Sequence, residues 1–192
     1  MSDLLTTPIK DEEIAALKAG DTIYITGTMV TARDAAHKKA LDLKSSGKEM
    51  PIVLEGLPVF HCGPIVKDQK VVAAGPTTST RMESLEADFI REFGVKVIIG
   101  KGGMGDKTLK ALKNYTCVYC SFTGGAGVLG AKGIKSIEKV IWLDDLGAPE
   151  ALWVFNVERF GPLTVAMDSH GKSIYKEVAE RAEKRLGEYF NI

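Results

Sequence analysis

Three stretches of this chain carry residues whose types and spacing can do chemistry. They read Gly27-Thr-Met-Val-Thr-Ala-Arg33-Asp34, Gly75-Pro-Thr77-Thr78-Ser-Thr-Arg81 and Gly100-Lys101-Gly102-Gly-Met-Gly105. Each follows a strand-like run, opens a helix, and puts a cation at or just before the helix N-terminus. The helix dipole favours anions there by about 0.3–1 kcal/mol, so each cation is badly placed if taken alone. Together they describe a shared pocket for something negative. Two guanidinium groups and an ammonium suit a small molecule with two carboxylates, since arginine binds a carboxylate as a planar fork. Thr77 and Thr78 stand beside them as hydroxyl donors or acceptors. The glycines around Gly102 let backbone N–H groups converge on an anion. The third loop is neither a P-loop nor a dinucleotide fingerprint, because the order and spacing of both are absent.

Each loop also has a plainer reading. Thr80-Arg81-Met-Glu83 has capping-box spacing, with Thr80 as the cap and Arg81 as a solvated first helical residue. Thr31 can cap the helix after the first loop, with Asp34 suiting the dipole and Arg33 pairing with a surface acid. Asp106 can cap the helix after the third, which leaves a glycine-rich turn. Asp34 and His37 are candidates to line the same pocket, and His37 reads equally as an exposed histidine. The joint pattern favours the pocket: ligands of open α/β sheets collect outside the carboxyl ends of strands, where all three loops are expected.

The elements that must position these loops follow from periodicity and turn signals. Helices are expected at Asp11–Gly20, Ala32–Lys44, Arg81–Phe93, Lys107–Lys113 and Ser173–Tyr189, with a short one at Pro149–Val154. Strands are expected at Asp21–Thr26, Pro51–Phe60, Val95–Ile99, Tyr115–Phe122, Val140–Leu143 and Leu163–Met167. Residues 61–74 read as a hairpin turning near Lys67–Lys70, and Thr123–Gly130 as a flexible link. Strands alternating with helices, plus some consecutive strands, give a mixed α/β domain in layers.

Other chemistry-bearing residues read as structural. Cys117-Val-Tyr-Cys120 matches C-x-x-C, but residues three apart on a strand face opposite ways. His61-Cys62 lacks the further ligands a metal needs. His170 belongs to the turn Asp168–Gly171, Trp142 and Trp153 to the core or an interface, and Asp144-Asp145 to a solvated turn.

The chain has 192 residues, with 45% hydrophobic and 26% charged residues, which fits one soluble domain. Lys+Arg and Asp+Glu number 25 each, so no global field points to nucleic acid or a membrane, and any anion site is local. No stretch approaches the roughly 18 apolar residues of a membrane span. The N-terminus does not read as a signal peptide, and three cysteines are an odd, sparse set. A reduced, cytoplasmic protein is expected.

The ordered motifs Thr-Ala-Arg33-Asp-Ala-Ala-His37, Ala-Gly-Pro-Thr77-Thr-Ser-Thr-Arg81-Met, Ile-Gly-Lys101-Gly-Gly-Met and Pro149-Glu-Ala-Leu-Trp153 resemble the β subunit, or C-terminal domain, of class I iron–sulfur fumarate and L(+)-tartrate dehydratases. The likeness spans nearly the whole chain. It implies one swivelling β/β/α domain over residues 1–192, and an α subunit whose three cysteines hold a [4Fe-4S] cluster. This chain alone would bind neither cluster nor metal. One iron of that cluster would act as Lewis acid on the substrate hydroxyl. By the resemblance, Thr77 is the base, activated by an α-subunit aspartate, while Arg33, Arg81 and Lys101 hold carboxylates, with Thr78 and Gly102 beside them. The short N-terminal segment leaves no room for an α domain, so a hetero-oligomer, α2β2 by analogy, is expected. Fumarate hydration to (S)-malate is the first expectation and tartrate dehydration the second. A non-catalytic anion-binding module, or a phosphate-handling enzyme using Gly100–Gly105 as a cradle, belongs to other classes.

Overall fold

Alternation along short parallel strands builds two cores at once. Val97, Ile99, Val118 and Cys120 join one apolar cluster, while Ile98, Cys117 and Tyr119 between or beside them join another. A strand apolar on both faces must be covered on both. The computed structural model describes residues 3–190.

The chain runs β1 (Asp3–Thr6), α1 (Asp11–Ala15), β2 (Thr22–Thr31), α2 (Asp34–Ser45), β3 (Pro58–Phe60), then the hairpin β4 (Ile65–Lys67) and β5 (Lys70–Ala73). A 3-10 turn at Ser79–Met82 leads into α3 (Glu83–Phe93), followed by β6 (Val97–Gly100), α4 (Asp106–Asn114) and β7 (Val118–Ser121). It continues through α5 (Gly127–Gly133), β8 (Ile134–Ile141), α6 (Leu143–Leu146), β9 (Leu152–Met167) and α7 (Ile174–Phe190).

The large sheet has the order β1-β2-β3-β6-β7-β9-β8. Strands β2, β3, β6 and β7 are parallel neighbours. Strand β9 pairs antiparallel with β7 and also returns antiparallel to β2, which closes the sheet on itself. Phe60, Phe155, Phe160 and Val165 meet in the cluster with Val97 and Ile99, and Phe60 and Phe160 stand edge to face. The second cluster lies under α2, α3 and α4, which supply Ala36, Ala40, Phe89, Ile90, Leu109 and Leu112. Because β2, β3 and β6 are parallel, their C-terminal ends Thr31, Phe60 and Gly100 open at the same edge.

The mixed α/β expectation holds, and the sheet is closed. Residues 149–154 are not a helix: Leu152-Trp-Val-Phe155 continues into the expected strand at Leu163–Met167 as one sixteen-residue β9. A short apolar run cannot be assigned by periodicity alone, and the β-rich Trp-Val-Phe decides it here. Strand β2 extends to Thr31, so most of the first loop is strand. The strand expected at Pro51–Phe60 is confined to Pro58–Phe60, and β8 begins at Ile134. The link Thr123–Gly130 contains the start of α5, and β1 has no counterpart in the expectations. The hairpin turns where expected, with Asp68 and Gln69 both at positive φ.

Candidate functional site

The central loop lies between the ends of two parallel strands and is pinned to both. Thr77 N–H donates to the His61 carbonyl just beyond β3, at 2.6 Å. Its own carbonyl accepts from Lys101 N–H just beyond β6, at 3.3 Å, and Ser79 N–H donates to the Lys101 carbonyl at 3.1 Å. Thr78 and Lys101 therefore form an isolated parallel bridge. The side chains remain accessible: Thr77 and Lys101 are half-buried, Thr78 and Arg81 exposed. Among the described residues no ion pair engages the Lys101 ammonium.

The two arginines are each held by a carboxylate. Arg81 donates from Nε to Asp34 Oδ1 at 3.1 Å and places Nη2 2.9 Å from Oδ2, a fork that ties the central loop to the first. Arg33 is paired with Glu150 at 3.1 Å, and its Nη1 donates to the Pro149 carbonyl at 3.4 Å. Glu150 also accepts the N–H of Ala35 at 3.0 Å, so one carboxylate caps α2 and neutralises the cation at its start. The Pro149-Glu-Ala-Leu-Trp153 motif thus acts on the first loop. Arg33, Asp34, Thr77, Thr78, Arg81, Lys101 and Gly102 all lie on segments that these contacts bring to one edge.

The expected caps are replaced by others. Thr31 sits inside β2, accepting from Trp153 N–H at 3.1 Å and donating to the Ala151 carbonyl at 3.4 Å. The Thr80–Glu83 capping box does not form, because Ser79–Met82 is a 3-10 turn. Glu83 crosses instead to α4, accepting from Gly105 N–H at 2.7 Å, Thr108 N–H at 3.3 Å and Thr108 Oγ1 at 2.7 Å. Asp106 is the first residue of α4, not its cap, and pairs with Lys176 at 2.7 Å. A protein carboxylate thus occupies two of the N–H groups at the start of α4, those of Gly105 and Thr108.

His37 is neither exposed nor in the open pocket. It is fully buried with His61 and Glu86, beneath the three loops. Glu86 Oε2 lies 3.0 Å from His61 Nε2 and 3.4 Å from His37 Nε2. His37 Nδ1 is 2.9 Å from the Arg33 carbonyl, and His61 Nδ1 is 2.9 Å from Ser79 Oγ. Tyr119 O–H reaches Ser79 Oγ at 3.1 Å and the Gly102 carbonyl at 3.0 Å. A Cβ on Gly100 would overlap Ser79 Oγ, so glycine there lets the network pass under the third loop. Burial lowers the His37 pKa, but the Glu86 charge and hydrogen bonds to Glu86 and the Arg33 carbonyl outweigh it and raise it. At His61 burial outweighs Glu86 and the pKa falls. At Glu86 burial pushes upward, and the two histidines overcome it and hold the carboxyl well below its usual range.

Sequence reasoning missed this cluster, although a signal was present. Met82, Glu86, Phe89 and Ile90 fall on one helical face, and Glu86 interrupts an otherwise apolar stripe with a carboxylate.

The cysteines do not suit an iron–sulfur cluster. All three are free and buried. Cys117 and Cys120 face different cores, as their spacing on the strand predicts. Burial raises all three thiols, Cys62 to about 12, away from the thiolate that ligates iron.

Comparison with known proteins matches residues 3–178 to the family described as fumarase C-terminus. The chain is 44% identical to the L(+)-tartrate dehydratase subunit beta of Escherichia coli K12, over 92% of this chain and 88% of that one. It is 42% identical to a putative L(+)-tartrate dehydratase subunit beta of Methanocaldococcus jannaschii, over 94% and 95%. It is 40% identical to a putative class I fumarate hydratase of Geobacillus stearothermophilus, over 96% of this chain but 36% of that protein. This chain belongs to the fumarase C-terminus family, which it shares with these dehydratase and hydratase chains.

Proposed function

We propose that this chain is the β half of a two-subunit hydro-lyase that reversibly hydrates fumarate to (S)-malate. The carrying observation is the convergence at Thr77: its backbone is fixed between the ends of β3 and β6, with Lys101 on one flank and Arg81 tied to Asp34 on the other. In the dehydration direction Thr77 Oγ1 takes the proton from the carbon next to one substrate carboxylate. Arg33, Arg81 and Lys101 hold the carboxylates and stabilise the charge that builds there. Thr78 and the Gly102 backbone complete the contact surface, with Asp34 orienting Arg81. A threonine hydroxyl is a weak base and needs an activating neighbour. The reading assigns that role to an aspartate of the α subunit.

The same reading puts the [4Fe-4S] cluster on the α subunit, because the residues here do not fit one. The open edge, with Thr78 and Arg81 exposed, suits closure by that partner. So does the Geobacillus relative, in which the matched region is only 36% of the protein. We take residues 1–192 as one swivelling β/β/α domain, cytoplasmic, in an α2β2 assembly. No described helix is long and apolar enough to cross a membrane.

A second reading, the β subunit of L(+)-tartrate dehydratase, is favoured by the names of the relatives at 44% and 42% identity. The two substrates differ by one hydroxyl, so a single polar contact can separate them.

Thr77→Ala, assembled anaerobically with the α subunit, is expected to lose turnover of malate and tartrate with assembly intact. Native rates in that variant would remove Thr77 as the base.

A further inference from the structure

The three loops share more than an edge. Beneath them a continuous line of fully buried polar groups touches the backbone of each one. It starts at the Arg33 carbonyl of the first loop, 2.9 Å from His37 Nδ1. It passes through Glu86 to His61, whose own carbonyl holds Thr77 N–H. It continues through Ser79 of the central loop and Tyr119, and ends on the Gly102 carbonyl of the third. His37, His61, Glu86 and Ser79 are all 0% exposed.

We propose that Glu86 is the positioning residue of this site: held between His37 and His61, it sets the relative placement of the Arg33, Thr77 and Lys101–Gly102 backbones. The inference rests on the hydro-lyase reading for its kinetic consequence, but its geometry stands apart from that reading.

Three observations carry it. Burying ionisable groups is costly, and an apolar trio of similar volume is often as stable or more so, so stability alone does not account for the cluster. The surroundings of His37 also fix its charge. It faces the Arg33 carbonyl at Nδ1 and the Glu86 carboxylate at Nε2, so the ring is an imidazolium beside a carboxylate. His61 lies against the same carboxylate oxygen at Nε2 and against Ser79 Oγ at Nδ1, so Glu86 sits between both rings. Finally, each end is a backbone carbonyl of a loop that carries a proposed substrate contact. A shift of Glu86 is therefore transmitted to three loops at once.

The test uses the enzyme assembled with its α subunit, together with 15N-histidine spectra of the full-length chain. Glu86→Gln keeps the volume and removes the charge. Its kcat is expected to fall by about 100-fold, the cost of misplacing a reacting group by roughly 1 Å, with a much smaller change in KM. Tyr119→Phe and Ser79→Ala cut the line further along without emptying the core, and are expected to lower kcat in the same direction by less. A purely structural Glu86 would lower the melting temperature and leave kcat of the folded enzyme unchanged. In the native chain the 15N spectrum is expected to show the His37 ring protonated at both nitrogens. Native kcat in folded Glu86→Gln, or a neutral His37 ring in the spectrum, would overturn the proposal. So would one metal ion per purified chain that is lost on replacing His37 or His61, since the three groups would then be ligands. If the assembled enzyme turned over none of malate, fumarate and tartrate, the reaction reading would fail, and the histidine spectrum would still decide the buried arrangement.

Discussion

Arg33 and Arg81 reach protein carboxylates in this chain, and that changes what their charge means. A free guanidinium at a helix start would be held poorly. Glu150 and Asp34 offset the dipole and fix each fork in one orientation. The residue types of the proposed clamp stand out in the sequence, because arginine at a helix N-terminus is out of place. Their acid partners were only half legible: Asp34 is adjacent in sequence, whereas Glu150 comes from a distant turn. Glu86 was hidden because a carboxylate on a helix normally reads as solvent-facing. Its burial gives a prediction with a definite sign. Glu86 is held below its ordinary 4.5, so its contribution is complete above that value and is lost as pH falls through the depressed folded value. His37 is raised above 6.5, so its contribution is complete below 6.5 and is lost as pH rises through the raised folded value. The pair stabilises most between pH 4.5 and 6.5. Asp34 adds to the His37 shift, while His61, lowered, opposes it by favouring the unfolded chain below its own ordinary value. Cys117 and Tyr119 also face Glu86, and both stay protonated throughout this range. Thermal melts across pH should show Glu86→Gln less stable by about 3–5 kcal/mol inside that window, with the gap narrowing on both sides. A constant offset across the range would contradict the ion pair.

Local signals placed most helices and strands, and failed where a distant residue took over the local role. Thr80–Glu83 has the spacing of a capping box, yet Glu83 spends its oxygens on α4. The Thr108 hydroxyl and the two N–H groups there offer it three donors, more than its own helix start offers. The same exchange explains α2, whose cap comes from Glu150 and not from Thr31, a residue fully committed to β2. Strand β9 escaped because its first half was too short and apolar to assign. Only its pairing with both β2 and β8 shows it as one strand. At this scale Glu83→Ala should cost about 1–2 kcal/mol by urea denaturation, since it uncaps α4 and orphans buried Thr108. It should also raise KM, because the loop Lys101–Gly105 loses its tether to α3. A change in stability below about 0.5 kcal/mol would show that the cap is replaced by water.

The closed sheet brings the ends of β2, β3 and β6 to one edge, with helices α2, α3 and α4 behind them, so the site is a property of the whole topology. That edge is open on this chain, and Thr77, the proposed base, and the proposed carboxylate holders Arg33, Arg81 and Lys101 are on it. The family likeness was legible from four ordered motifs, and the matched relatives bear it out. The closed sheet was not legible, since closure depends on one long strand pairing at both ends. The three cysteines are buried with raised pKa values, and Cys117 and Cys120 face different cores, which supports the proposal that the cluster belongs to the α subunit. The most direct test is to purify this chain anaerobically alone and with its α subunit, and to follow malate, fumarate and L(+)-tartrate turnover in each. No turnover by the chain alone and iron-dependent turnover by the complex are expected; turnover by the isolated chain without iron would overturn the split site.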